Sequence, residues 1–376
     1  MSALNATVDL DDTEGLIEAD RDGLLRAAAT AGAQVRATAA AVEEGALESV
    51  TGDARPRTVI WVSGRGPAEA AGAMLAAALS GSTGSPIVTS AESPPWIGPL
   101  DVLIAAGDDA GDPALVTAAA TAVRRGARVV VAAPYEGPLR DATAGRAAVL
   151  APRLWVPDEF GLCRYLAAGL AAFAAVDPAS AGRRESTGGS AVCAPLTELA
   201  DELDAEAMRN SVAREVFTNP AKSLAERISG RPTVLAGDNA ATLALARHGA
   251  AVLLRVAGEP VAAVGLGDAL AALRNGITSR FGIGVDALFH DEEIDGPLPG
   301  RPRVVALALA AERTNLVARL AGIDGVDLLG AEDVGDTGEI GRADTATDVS
   351  RRAETQLSVL ALRLEMAAVY LRLAGG

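Results

Sequence analysis

The chain has 376 residues and a formal net charge of −16 at pH 7; 49% of its residues are apolar but only 3% are aromatic. This length predicts two domains, whose cores we expect to be built from Ala, Val and Leu. The acidic balance argues against nucleic acid as a partner, because binding to phosphate backbones needs clustered Lys and Arg.

Strands and helices alternate through the first half of the chain. Residues 14–47 are typical of one or two amphipathic helices. Strands are predicted at 58–63, 87–89, 102–105, 128–133 and 149–156. Helices are predicted at 67–79, 114–125 and 159–176. This alternation implies right-handed crossovers and a parallel sheet with helices on both faces.

A second series of strands and helices follows a segment rich in Pro, Ser, Gly and Thr, which is typical of a linker. A helix is predicted from 196 to about 215, a second one follows Asn219-Pro220-Ala221-Lys222 and ends near 230, and a third is predicted at 348–373. Strands are predicted at 233–236, 285–289, 304–308 and 326–329. We therefore expect two similar α/β halves: residues 1–180, a linker over 181–195, and residues 196–376.

The cysteines and the apolar runs bear on the cellular compartment. Cys163 and Cys193 show no metal-ligand spacing, and Cys163 lies in an apolar helical run where a core position is expected. The acidic N-terminal segment lacks the basic and then apolar order of a signal peptide. The apolar run at 165–176 is too short to cross a bilayer. We expect a soluble cytoplasmic protein that does not contact a membrane.

Two loops of the first half are candidate ligand-binding elements. Gly64-Arg65-Gly66 follows the strand at 58–63, and Gly107 opens the loop after the strand at 102–105. A predicted helix follows each loop, a geometry that presents helix N-terminal N–H groups to a phosphate. The second loop, however, carries Asp108, Asp109 and Asp112, where a phosphate site needs hydroxyls and free N–H groups.

Several segments together carry a resemblance to a known family. They are Thr58–Gly66, Asp101–Arg128 with Arg124-Arg125-Gly126-Ala127, Pro157–Ala168 with Arg164, Asn219-Pro220-Ala221-Lys222-Ser223-Leu224-Ala225, and Tyr370-Leu371. On these residues the first half resembles the SIS (sugar isomerase) domain. The whole chain resembles the two-SIS-domain phosphoglucose/phosphomannose isomerase family, in its degenerate TobH-like branch.

The resemblance implies a fold, an activity and an assembly. The implied fold is two SIS-type three-layer αβα domains, each with a mostly parallel sheet, plus helical segments at both ends of the chain. The implied activity is the interconversion of aldose and ketose sugar phosphates of the glucose or mannose 6-phosphate type, without a cofactor. A homodimer is expected, since sites in this family often borrow a residue from the neighbouring subunit.

The phosphate-binding residues of the family are replaced here. The resemblance puts Gly107, Asp109 and Asp112 at the family's hydroxyl positions in the second loop, and Ala68 at the serine of the first. A unit negative charge about 7 Å from a carboxylate loses roughly 2 kcal/mol at an effective dielectric of about 20. Helix-dipole attraction of about 0.3–1 kcal/mol does not compensate. The sequence therefore predicts weak phosphate affinity in this pocket.

Candidate ligand-binding residues remain in and around both loops. They are Gly64, Arg65, Gly66, Gly107, Asp108, Asp109, Asp112, Arg164 and Arg247. The three arginines are candidates for phosphate contacts from outside the inherited hydroxyl positions. The acidic loop also fits three other interpretations: helix caps, a hard cation such as Mg²⁺ or Ca²⁺, and a cationic amino sugar.

Catalysis through an enediol needs a carboxylate base and usually a ring-opening histidine. The gap-free family register places Leu254 at the base, Ala257 at a lysine and a position near Ala271 at the histidine. Glu259 fits the base only if residues are inserted, and His290 fits the ring-opening acid or a surface histidine beside acids.

Two further interpretations concern residues outside these candidates. His248 is predicted to be a cation near a helix end. The Gly64-Arg65-Gly66 run also invites a dinucleotide site, but Glu69 stands where the third glycine is needed. Two hypotheses stay open for the whole chain: a phosphosugar isomerase with rewired residues, and a non-catalytic protein that keeps the fold and dimer surface while binding a sugar derivative or a partner.

Overall fold

The computed structural model describes residues 7–52, 54–177, 195–274, 302–333 and 352–375. Over these residues the chain forms two parallel sheets flanked by helices, which confirms the predicted α/β fold class. The described residues of 26–207 and 352–362 form one compact unit, and those of 1–25, 208–351 and 363–376 form the other. The domain boundaries at 180 and 196 stay a prediction.

The first unit contains a five-stranded sheet in the order β2-β1-β3-β4-β5, with every neighbouring pair parallel. Its strands are β1 Thr58–Ser63, β2 Ile87–Ser90, β3 Asp101–Ala106, β4 Arg128–Ala132 and β5 Ala148–Val149. The helices up to residue 176 are α1 Thr13–Ala19, α2 Leu24–Ala28, α3 Ala31–Glu43, α4 Pro67–Leu79, α5 Pro113–Arg124, α6 Gly137–Thr143 and α7 Leu162–Val176. Of these, α1 belongs to the other unit. Short 3₁₀ turns lie at Glu48–Val50 and Asp158–Phe160.

Alternation of side chains across the strands gives this sheet two apolar faces. Ile60 and Val62 point to the face that packs against Leu115 of α5 and Leu139 of α6. Trp61, between them, points to the opposite face, where α4 and α7 pack. Both faces of β1 and β3 are therefore buried, as expected for a parallel sheet between two helical layers.

Trp61 determines how closely α4 and α7 approach the sheet. Its indole Nε1 donates to the carbonyl of Ala68 at 3.0 Å, which fixes the ring orientation. A Cβ built on Gly72 would lie 2.3 Å from the indole Cδ1, and one on Gly169 would lie 3.0 Å from Cζ3. Glycine at both positions leaves the room that the ring occupies.

We expect Gly72→Ala to lower the free energy of unfolding by about 1–3 kcal/mol, because the added methyl group overpacks a ring that a hydrogen bond holds in place. Urea denaturation measures the change. Gly81→Ala is the matched control, since a Cβ there would meet nothing within 4 Å. Equal losses in the two variants would contradict the role assigned to Trp61.

The second unit contains a four-stranded parallel sheet in the order β7-β6-β8-β9. Its strands are β6 Thr233–Gly237, β7 Ala262–Gly265, β8 Arg303–Ala308 and β9 Val326–Gly330. The helices after residue 195 are α8 Leu196–Arg209, α9 Pro220–Ile228, α10 Ala240–Val252, α11 Leu266–Arg274, α12 Ala310–Leu320 and α13 Ala353–Gly375, with a 3₁₀ turn at Val216–Thr218 and a π-helical turn at Leu253–Ala257. This strand order is the same as that of β2-β1-β3-β4 in the first sheet, so the two sheets are similar in topology.

Several element bounds differ from the predictions. The strand predicted at 149–156 is only β5, Ala148–Val149, because Pro152 has no N–H to continue the ladder. The helix predicted from 196 to 215 ends at Arg209. Residues 14–47 form three helices, since Gly23 has a positive φ and Asp20 accepts from the N–H groups that open α2. The strand predicted at 285–289 lies outside the described residues.

One prediction about the second unit is wrong. His248 is not near a helix end, because α10 continues to Val252 and then into the π-helical turn. The following residue, Gly249, is a point of close contact, where a Cβ would lie 2.9 Å from Leu235 and 3.0 Å from Leu364. The described residues contain one helix long and apolar enough to span a membrane, Ala240–Ala257, and 56% of it is buried within the protein, as in core helices.

Candidate functional site

The carboxyl edge of the first sheet holds most of the predicted site residues. Strand β1 has β2 on one side and β3 on the other, so the chain leaves β1 and β3 toward helices on opposite faces. Ligands of open parallel sheets bind in the crevice at such a switch point. Gly64 N–H donates to the Ala106 carbonyl at 3.1 Å, and this bond joins the starts of the two loops.

The loop after β1 contains the backbone geometry expected of a ligand-binding turn. Gly66, the N-cap of α4, has φ 84° and ψ −140°, which residues with a Cβ rarely adopt, and it provides no side-chain cap. Ala68, at the family's serine position, is fully buried. The Arg65 side chain is exposed, and among the described residues we find no hydrogen bond or ion pair for it.

Two aspartates of the loop after β3 are bound to their own backbone. Asp112 Oδ1 caps α5 by accepting from Ala114 N–H at 2.8 Å. Its Oδ2 faces Gly64, where a Cβ would lie only 3.2 Å away. Asp109 Oδ1 accepts from Gly111 N–H at 2.7 Å. The capping interpretation of these acids therefore has direct support, and Asp112 occupies part of the space between the two loops.

Asp108 makes a different contact, with the start of α7. Its Oδ1 lies 2.5 Å from Arg164 Nη2 and accepts from the Tyr165 hydroxyl, also at 2.5 Å. Arg164 Nη2 lies 2.9 Å from the same hydroxyl, and its Cζ lies 4.5 Å from the ring centroid. The sequence predictions included Asp108 and Arg164 but missed Tyr165, although it directly follows Arg164.

Burial decides the protonation of this tyrosine. Desolvation raises the pKa of Tyr165 well above its ordinary value; the Arg164 charge opposes this shift, and Asp108 adds to it. The phenol therefore stays protonated at physiological pH and remains a hydrogen-bond donor. Asp108 thus accepts hydrogen bonds from a charged donor, the Arg164 guanidinium, and from a neutral one, the Tyr165 hydroxyl.

The structure gives no support to the metal interpretation of the acidic loop. Asp108, Asp109 and Asp112 turn to three separate partners, as described above. Among the residues described by the structure, no three His, Cys, Asp or Glu side chains converge as a metal site would require. The nearby Cys163 is buried in α7, consistent with the expected core role.

The other site candidates lie in the second unit or outside the described residues. Arg247 is exposed on α10. Glu259, partly exposed, follows Gly258, which has a positive φ and ends the π-helical turn. Because α10 runs back from the end of β6 to the start of β7, Glu259 lies at the amino edge of the second sheet, away from its carboxyl edge. His290 is outside the described residues.

The carboxyl edge of the second sheet has its own polar contacts, which sequence reasoning missed. Asn239 caps α10 and donates from Nδ2 to both carboxylate oxygens of Glu312, at 2.7 and 2.9 Å. Asp238 binds Arg319 Nη1 at 2.7 Å. The cap signal of Asn239, three residues before Thr242, is visible in the sequence, but its partner on α12 is not.

Several solved structures have a similar fold. Tagatose-6-phosphate ketose/aldose isomerase from Escherichia coli is 15% identical, with a TM-score of 0.58 over 99% of this chain and 96% of that chain. A Bacillus subtilis protein assigned as a phosphosugar isomerase is 15% identical, with a TM-score of 0.56 over 91% and 94%. The C-terminal domain of glucosamine-fructose-6-phosphate aminotransferase from Francisella tularensis is 9% identical, with a TM-score of 0.54 over 93% and 95%.

These similarities concern the fold and extend over nearly the whole chain. No protein-family model matches the sequence, and no curated protein matches it significantly. The chain therefore has the fold of phosphosugar isomerases, as the predicted resemblance implied, at identities that carry no residue-level function.

Proposed function

We propose that this protein is a SIS-type sugar-derivative-binding protein of carbohydrate metabolism whose aldose–ketose isomerase activity is weak or lost. Its ligand would lie at the carboxyl edge of the first sheet, between the loops after β1 and β3. The proposal includes the cytoplasmic homodimer expected from the resemblance, and light scattering on the purified protein tests the dimer.

The observation that carries the proposal is that the protein's own carboxylates occupy donors a phosphate would use. Asp112 takes the Ala114 N–H at the start of α5, and Asp108 takes the guanidinium of Arg164. A phosphate dianion entering this crevice would have to displace one carboxylate and approach the others. Each like-charge approach costs roughly 2 kcal/mol at about 7 Å and an effective dielectric of about 20.

The catalytic candidates give little support to an efficient isomerase. An enediol mechanism needs a base within hydrogen-bond reach of the sugar C1–C2 unit. Glu259 lies at the amino edge of its sheet, and the family register puts the exposed apolar Leu254 at the base position. A protein that binds a sugar derivative without interconverting it needs neither residue.

A coupled isomerase assay tests the proposal. With glucose 6-phosphate or mannose 6-phosphate as substrate, we expect turnover no higher than that of a buffer blank. The absence of a general base alone lowers the rate of isomerisation by about 10²–10⁴-fold. The assay must therefore be able to detect rates that are lower than those of a typical isomerase by this factor. Thermal-shift measurements with sugar phosphates, amino sugars and nucleotide sugars then identify the ligand class. Turnover of either substrate well above the blank would overturn the proposal.

A second candidate is an active phosphosugar isomerase with rewired contacts. The exposed Arg65 favours it, because this residue belongs to the loop after β1 and its guanidinium could bind a phosphate there. Arg65→Gln separates the two candidates. In an active isomerase it would raise KM for the sugar phosphate, whereas in a non-catalytic protein there is no turnover for it to change.

A further inference from the structure

Arg164 occupies a position where a cation is electrostatically unfavourable. It lies in the first turn of α7, whose N-cap, Gly161, provides no side-chain oxygen. The unpaired N–H groups at a helix start carry partial positive charge, so a guanidinium there is repelled unless an anion lies beside it. Only 16% of the Arg164 side chain is exposed, which limits compensation by water.

The contacts around Asp108 have the form of a bound anion. Two donors, the Arg164 guanidinium and the Tyr165 hydroxyl, converge on one carboxylate oxygen at 2.5 Å each. The guanidinium lies close to the helix N-cap, since a Cβ built on Gly161 would be in ordinary van der Waals contact with Nη2, at 3.5 Å. The carboxylate comes from the loop after β3 and the donors come from α7, so the anion and its site belong to different elements.

The anion is also accessible from outside. Of the Asp108 side chain 24% is exposed, and the carboxylate stands at the sheet edge next to the switch-point crevice. A ligand anion therefore needs only to displace a loop side chain, and no helix has to separate from the sheet.

We propose that Arg164 and Tyr165 form an anion-binding site, which Asp108 fills from within in the free protein, and that its external ligand is the carboxylate or phosphate group of a sugar derivative. This inference rests on the proposed function only in taking the ligand to be a sugar derivative. The anion site itself is tested with simple salts.

The experiment removes the internal anion and adds an external one. Asp108→Ser vacates the site while keeping a small polar side chain in the loop. The melting temperature of the full-length variant is measured in sodium phosphate, sodium acetate and sodium chloride at equal ionic strength. We expect phosphate or acetate to raise it by about 3 °C or more over chloride, as specific binding to the folded state does.

Asp109→Ser is the matched control. It removes one carboxylate from the same loop but leaves the contact between Asp108 and Arg164 in place, so it reports the general stabilisation by excluded salts. We expect Asp109→Ser and the wild type to shift equally and by less than Asp108→Ser. The double variant Asp108→Ser/Arg164→Gln should lose the extra shift.

Equal shifts in Asp108→Ser and Asp109→Ser would overturn the inference, as would an extra shift that survives in the double variant. If Asp108→Ser does not fold, Asp108→Asn, which keeps the shape of the side chain, is measured in its place against the same criteria. Isomerase turnover by the wild type would end the proposed function but would leave these salt responses unchanged, so the two failures are distinguishable.

Discussion

Replacement of His248 by leucine is expected to destabilise the protein by about 3–5 kcal/mol, because it leaves the buried Glu365 without its partner. The two side chains, 3% and 1% exposed, share a hydrogen bond of 2.9 Å between Nε2 and Oε1. The other oxygen, Oε2, has no hydrogen-bond partner among the described residues. Urea denaturation at neutral pH measures the loss.

The double variant His248→Leu/Glu365→Leu is the control for this prediction. It removes the buried polar pair as a whole, a change that is often neutral or stabilising by about 1–4 kcal/mol. We expect it to regain most of the stability lost in the single variant. If both variants were equally unstable, the loss would come from side-chain shape, and the interpretation as an unpaired buried acid would be wrong.

The same carboxyl group gives this prediction a pH dependence. Desolvation raises the pKa of Glu365 above its ordinary value, although the bond to His248 opposes the shift. The folded state therefore holds this proton to higher pH than the unfolded state does. As pH rises from the ordinary carboxyl pKa to the raised one, the stability contribution of Glu365 decreases, and it is constant above that range. Glu365→Gln should remove this decrease, which denaturation curves at a series of pH values reveal.

Lys222→Met is expected to lower the free energy of unfolding by about 2–4 kcal/mol, since it removes a buried charged donor that two partly buried backbone carbonyls share. The Lys222 ammonium donates to Val212 O and Arg214 O, both at 2.8 Å, and lies 5.5 Å from the ring centroid of Tyr370. The lysine is 0% exposed, and burial lowers the pKa of its ammonium group. Thermal or urea unfolding of the purified variant checks the value.

Tyr370→Phe distinguishes the contribution of the Tyr370 ring to stability from that of its hydroxyl group. It keeps the ring beside Lys222 and removes the bond from the hydroxyl to Asn210 O, at 2.6 Å. A loss of about 1 kcal/mol is expected for one hydrogen bond. A Lys222→Met variant no less stable than Tyr370→Phe would show that the two carbonyls find other donors.

The fold was predictable from local patterns where those patterns are strong. Apolar runs such as Thr58–Ser63, with a glycine loop behind them, predict buried parallel strands, and the structure confirms that strand at the same bounds. The short strand β7, Ala262–Gly265, was not predicted, because its run consists mainly of alanine and glycine, which are depleted in strands. The helix from Leu196 ends early for a reason that lies elsewhere in the chain. The carbonyls of Asn210 and Ser211, which a longer helix would have used, accept instead from the side chains of Tyr370 and Asn219.

The sequence indicates which residues the candidate site would contain, but not which contacts those residues make. The three aspartates of the second loop look alike in the sequence, yet Asp109 and Asp112 bind neighbouring backbone while Asp108 reaches a helix 56 residues away. Only the sheet, which brings the end of β3 to the start of α7, distinguishes them. His248 shows the same limit, since its partner Glu365 lies 117 residues further along the chain.

The burial of the only lysine has a practical consequence for work with this protein. Reagents that acylate or crosslink side-chain amines, such as succinimidyl esters and glutaraldehyde, meet no lysine at the surface of the folded chain. Modification of Lys222 therefore becomes a time-resolved signal of opening around α9. Surface immobilisation and dye attachment for ligand screening have to be designed around another functional group.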